Sequence, residues 1–257
     1  MKNHAVGREL IYVHMNNSDH FVLSYGIEFS EFIKGIPVQI PNVLLLRHKF
    51  EEGHFNMHTK LDYADSDMIR KLLVENVYGY GDFCWIDFED EEHLDQLSGQ
   101  EIAEILYLAH LKDHLRLPFY GKLSNRFAYL AGDDGWCNKI YYRSWNHFYM
   151  MLGQVISTKI NGQKEKSVFG LWRKKAVPAV PPEILHPFSN YMKEGLAFSI
   201  EKAVKSRQQI EIPVWVIGDF YDMDAMYEEY ELINNKTPDG KIVFDRKTGE
   251  WQAYSSA

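Results

Sequence analysis

The chain has 257 residues, enough for one large domain or two small ones with a sizeable core in either case. Its 46% hydrophobic and 25% charged residues match an ordinary folded protein, and the 14% of aromatics leaves ring surface available for a partner. A formal net charge of -8 argues against a nucleic-acid backbone or an anionic membrane as the main ligand, since both need clustered positive charge.

Two cysteines, Cys84 and Cys137, stand in apolar runs without a CxxC pair, which predicts free thiols in a reducing compartment. The start "MKNHAVGRELIYVH" lacks the pattern of a secretory signal, and no stretch reaches the ~18 apolar residues of a membrane span. The expectation is a cytoplasmic protein with no membrane segment.

In chain order, "LIYVHM" and "HFVLSY" read as strands about the turn "NNSD", followed by a short helical turn in "EFSEFIKGI". "VLLLRHKF" and "HFNMHTKLDY" read as a hairpin about "EEG", with Gly53 free for positive φ. Met68, Ile69, Leu72, Leu73 and Val77 share one face of a helix that Gly79 would stop. "DFCWIDF" reads as a central strand and "DEEHLDQL" as a short acidic helix.

Ser98 followed by Glu101 forms a capping box, and the helix it opens should run through "IAEILYLAHLKDHL" until Pro118. "RFAYLA" and "WCNKIYYR" form a hairpin with Asp134-Gly135 in the turn. Ser144 caps a helix with a Trp145, Phe148, Tyr149, Leu152, Val155, Ile156 stripe. The proline-rich stretch from Asn161 to Pro187 reads as a loop, with a short strand at 168–172. "PFSNYMKEGLAFSIEKAV" reads as a helix. "QIEIPVWVIGDF" reads as a strand near an edge because of Pro213. "DMDAMYEEYELINN" is a helix and "KIVFDRKTGEWQAYS" a final hairpin.

The fold class expected is α+β: antiparallel hairpins with helices packed on them. "CWIDFED" and "VWVIGDFYDMD" echo each other, which suggests two similar halves, roughly Leu10–Leu117 and Asn125–Asn235. The domain expectation is 1–117 and 123–257, or one continuous domain.

Three constellations could carry chemistry. On a continuous helix His110 and His114 would share a face, as a metal pair does, with Asp113 turned away. On a strand His54, Asn56, His58 and Lys60 share one face, with His48 on the partner strand, a set that would suit zinc or simply face solvent. The acidic strand exits Asp87, Glu89, Asp90 and Asp219, Asp222, Asp224 could hold a divalent metal or act as acid and base. Capping already accounts for Asp90 and Asp222. The basic-aromatic run Trp172, Arg173, Lys174, Lys175 and the aromatics of Trp136–Trp145 are candidate partner contacts. No G-x-S-x-G elbow or Walker-type loop is present.

The leading expectation is therefore a cytosolic, non-catalytic binding protein with acidic and aromatic surfaces and a protein or small-ligand partner. The rival is a metal-dependent hydrolase that uses His110 and His114, or His54 and His58, with a strand-end aspartate and a divalent metal. A nucleotide or nucleic-acid binder that stacks bases on aromatics is a third reading, opposed by the negative charge.

Overall fold

The computed structural model describes residues 9–47, 52–74, 81–132, 135, 137–163 and 176–255. In chain order the elements are β1 (Leu10–Asn16), β2 (Phe21–Tyr25), α1 (Phe29–Gly35), β3 (Asn42–Leu46), β4 (His54–Phe55), β5 (Asp62–Asp65), α2 (Ser66–Leu72), β6 (Phe83–Phe88), α3 (Gly99–Ala109), β7 (Phe127–Gly132), β8 (Cys137–Tyr142), α4 (Trp145–Gly162), α5 (Pro182–Leu185), α6 (Ser189–Lys193), β9 (Leu196–Ser199), β10 (Val204–Lys205), β11 (Gln209–Val216), α7 (Met223–Ile233), β12 (Gly240–Asp245) and β13 (Glu250–Ser255). The mixture of helices with antiparallel strands is an α+β fold. Among the described residues no helix is long and apolar enough to cross a membrane.

The chain divides into two compact units. A central unit comprises Met15–Ile33 and Val38–Trp145; a terminal unit comprises Met1–His14, Lys34–Pro37 and Asn146–Ala257.

In the central unit the strands run in the order β2-β8-β7-β6-β3-β5-β4, with antiparallel pairing. β6 lies between β7 and β3, with Ile86 opposite both Ala128 and Leu44. All six of its residues are buried, because both faces of the sheet are covered. One face packs Leu44, Ile86, Phe88 and Leu130 with Ile105 and Leu108 of α3. The other gathers Phe29 and Phe32 of α1 with Phe83, Trp85, Phe127 and Tyr129, and Phe29 meets Trp85 edge-to-face at 4.4 Å. A strand covered on both faces reads as a continuous apolar run, and this is why "FCWIDF" shows no alternation.

The terminal unit orders its strands β13-β12-β11-β9-β1, with β10 added to β11. The long helix α4 supplies Phe148, Met151, Leu152, Val155, Ile156 and Ile160 to its core. At Gly153 a side chain would place Cβ 2.0 Å from the Val180 carbonyl oxygen, so only glycine permits this approach.

Several local expectations change. The strand "VLLLRHKF" contributes β3, which pairs with β5 and β6, and the hairpin is instead β4–β5. Its turn is built by Asn56, whose Oδ1 accepts from His58 N, Thr59 N and Thr59 Oγ1, with Lys60 at φ 60. "LAFS" is strand β9, not helix: Gly195 takes φ 85, and a Cβ there would lie 1.7 Å from Gly218 O. β11 is interior rather than an edge. On one flank it pairs with β10 at Ile210 and Glu211 and with β9 only from Val214, so Pro213 falls where that flank has no partner strand. The short strand expected at 168–172, the stop at Gly79 and Asp134 of the β7–β8 turn lie outside the described residues.

Candidate functional site

The helix opened by Ser98 is present, and its capping box is complete: Ser98 Oγ accepts from Glu101 N, and Glu101 accepts from Ser98 N at 2.8 Å. Burial pushes the Glu101 carboxyl up, but Ser98 N–H and the Lys122 ammonium, 2.9 Å away, bring it down to about 2. α3 ends earlier than the sequence pattern suggests. Its last residue is Ala109, His110 is the C-cap, and Leu111 turns left-handed at φ 58. A left-handed leucine costs about 1 kcal/mol. Leu111 is partly buried and packs on the central core. His110 and His114 therefore do not share a helix face. His110 is exposed, and His114 lies in the following segment with Nε2 2.8 Å from the Tyr120 hydroxyl.

That segment is fastened to the helix by a pair the sequence pattern does not announce. Glu104 is buried; its Oε1 accepts from Gln100 Nε2 at 3.0 Å, and Oε2 lies 2.6 Å from Arg116 Nε. Arg116 also stacks over the Tyr120 ring at 5.8 Å. The Arg116 backbone N–H donates to His114 Nδ1, which leaves the proton of the neutral ring on Nε2, facing Tyr120. Burial holds the His114 pKa below its ordinary value, and burial raises that of Tyr120. Around this frame Leu106, Tyr107, Leu115 and Leu117 stay exposed, at 45%, 43%, 75% and 42%.

The acidic exits behave differently from one another. Asp87, at the end of β6, is buried, and its Oδ1 accepts from Arg126 N and Phe127 N, both at 2.8 Å. Burial pushes its carboxyl up to about 6 against the pull of those amides. It acts as a brace between β6 and β7. Asp90 caps the 3-10 helix Glu91–Gln96 through Glu92 N, and Asp222 caps α7 through Ala225 N at 2.8 Å. Asp224 is exposed in the first turn of α7.

Asp219 meets a histidine, though none of those singled out in the sequence. His14 Nδ1 lies 2.8 Å from Asp219 Oδ1, at ion-pair distance but out of line for a hydrogen bond. Two residues earlier on β1, the Tyr12 hydroxyl donates to Gly218 O at 3.0 Å and accepts from Phe220 N at 3.1 Å. Alternate residues of one strand thus clasp the loop that follows β11. The loop presents Tyr221, 69% exposed, edge-on to His14 with ring centroids 6.4 Å apart. The i, i+2 spacing in "YVH" was the available signal.

His54 and His58 do not share a strand face. His54 sits on β4 with Nε2 3.3 Å from Asp65, whereas His58 lies in the turn with Nε2 2.9 Å from the Leu97 carbonyl. Cys84 is a buried free thiol, and burial raises its pKa. His48 and Trp172, Arg173, Lys174 and Lys175 lie outside the described residues. Among the described residues no three His, Cys, Asp or Glu side chains gather as a metal-holding group.

Compared with known proteins, the chain matches no family model, no curated protein and no solved structure.

Proposed function

We propose that this chain is a cytoplasmic, non-catalytic binding protein whose partner is another protein. The observation that carries this reading is the exposed apolar set Leu106, Tyr107, Leu115 and Leu117 on the central unit. Single exposed leucines are ordinary, but here α3 is apolar on two faces. Ile105, Leu108 and Ala109 pack inward while Leu106 and Tyr107 face out. Exposed apolar side chains on such a helix are candidates for a cover, and one supplied by a partner fits both the exposure and the fixed segment beside it. The Glu104–Arg116 pair holds the neighbouring leucines in place before binding, which lowers the ordering cost. The buried free thiol of Cys84 accords with a reducing compartment. A metal-dependent hydrolase would need a third ligand beside His110 and His114 or beside His54 and His58, and none gathers there among the described residues.

The test compares wild-type protein with a Leu115→Ser, Leu117→Ser variant as baits, followed by reconstitution with the purified partner. The expected result is a stoichiometric partner held by the wild type and lost by the variant, with both proteins melting alike. Equal recovery of the same proteins by both baits sinks the reading.

A further inference from the structure

In the terminal unit α7 carries acids that form no ion pair among the described residues, though Asn234 Nδ2 donates to Glu231 Oε1 at 3.4 Å. Its inner face buries Met226 and Tyr230, and the Tyr230 ring meets Trp215 edge-on at 6.1 Å. Its outer face places Asp224, Glu228, Glu231 and Leu232 in one exposed stripe at helical spacing. Leu232 is 70% exposed, and Tyr221, ahead of the helix, is 69% exposed.

Some carboxylates elsewhere are matched. Glu211 pairs with Lys241, Glu101 with Lys122, Glu89 with Arg126 and Asp65 with His54. Among the described residues Asp224, Glu228 and Glu231 form no ion pair. The helix gains nothing from two of these acids. Asp224 and Glu228 are like charges one turn apart, and Glu231 sits in the last turn, where the helix dipole favours a cation. The nearby Lys202 does not relieve this, because its ammonium donates to Asn234 O at 2.8 Å and to Asn235 Oδ1 at 3.1 Å. The stripe is thus a row of uncompensated negative charge with an apolar side chain near each end. The end at Tyr221 is held rigidly by Tyr12.

We propose that the outer face of α7, with Tyr221 and Leu232 near its ends, docks a lysine- or arginine-rich segment of a partner protein. The choice of occupant follows from charge complementarity: cations answer the stripe that the described residues leave without an ion pair, and apolar side chains of the same segment cover Tyr221 and Leu232. This rests on the reading of the chain as a binding protein, and it uses a surface separate from that of α3.

The full chain is titrated with a fluorescent synthetic peptide in which lysine or arginine alternates with leucine. Saturable binding that weakens with salt is expected. Glu228→Lys with Glu231→Lys should weaken it at least about tenfold. Tyr221→Ala should weaken it several-fold at constant salt. Glu91→Lys with Glu92→Lys, the same charge change on exposed positions of the other unit, should leave it unchanged. Glu228→Gln with Glu231→Gln serves if the lysine variant fails to fold. The proposal is overturned by the absence of saturable binding, by equal loss in the two lysine variants, or by spermine competing as well as the peptide at equal charge. If it fails while the Leu115, Leu117 variant still loses a partner, the binding-protein reading stands and only this surface is wrong.

Discussion

Arg116 Nε lies 2.6 Å from Oε2 of Glu104, a carboxylate 3% exposed, so the segment after α3 is fastened to the helix it has just left. Arg116 stands between the exposed Leu115 and Leu117 in sequence, so the pair ties down the backbone that carries them.

Removing one partner should therefore cost more than removing both. Arg116→Met leaves Glu104 buried and unanswered, and the expected loss is about 2–3 kcal/mol, somewhat below that of a fully buried pair because Arg116 is half-exposed. Glu104→Met together with Arg116→Met should recover most of that loss. Urea denaturation of the two single variants and the double variant measures the coupling. Additive losses would mean that the pair does not hold the segment.

Asp87 predicts a pH dependence with an unusual sign for a carboxylate. Its folded pKa, about 6, lies above the ordinary 3.8, so the folded state holds the proton more tightly. Its contribution is complete below pH 3.8 and disappears as pH rises through about 6. The full swing is about 3 kcal/mol. Asp87→Asn keeps an oxygen for the Arg126 and Phe127 amides and removes the ionisation. The variant should match or exceed the wild type in stability at pH 7 and lack this slope between pH 4 and pH 6. Stability curves for the two proteins that stay parallel across that window would refute the assignment.

The loop after β11 depends on one hydroxyl. Tyr12→Phe strips the acceptor from Phe220 N and the donor from Gly218 O. The expected loss is about 2 kcal/mol. Amide exchange at Phe220 should accelerate well before that of β9 or β11. An unchanged exchange rate would show that the loop is held by something else, and Tyr221 would then no longer count as a preorganised contact.

Much of the local structure is legible in the residues alone. Ser98 and Glu101 begin α3 as a capping box must, and Asp222 begins α7, because these are contacts between neighbours in sequence. The runs around Trp85 and Trp215 are recognisably strands. The end of α3 is not legible in the same way. The "HLKDHL" run continues the helical pattern, yet the chain turns left-handed at Leu111, and Arg116 of the following segment returns to the buried Glu104. Pro213 likewise looks like an edge marker, yet it sits inside the sheet because β9 and β10 leave a gap beside it.

The candidate surfaces show the same division. Composition marks the chain as acidic and aromatic, and helical spacing alone puts Asp224, Glu228 and Leu232 on one face of α7. Sequence therefore determines the α+β class, the capped helix starts and the acidic charge, since all of these follow from nearest neighbours or from simple sums. Tertiary structure decides that Asp219 meets His14, that Glu104 answers Arg116, and that Asp87 braces two strands. The first and last of those contacts join residues far apart along the chain and depend on strand order and register, and the second depends on how the chain turns back after α3; no local pattern of side chains encodes either.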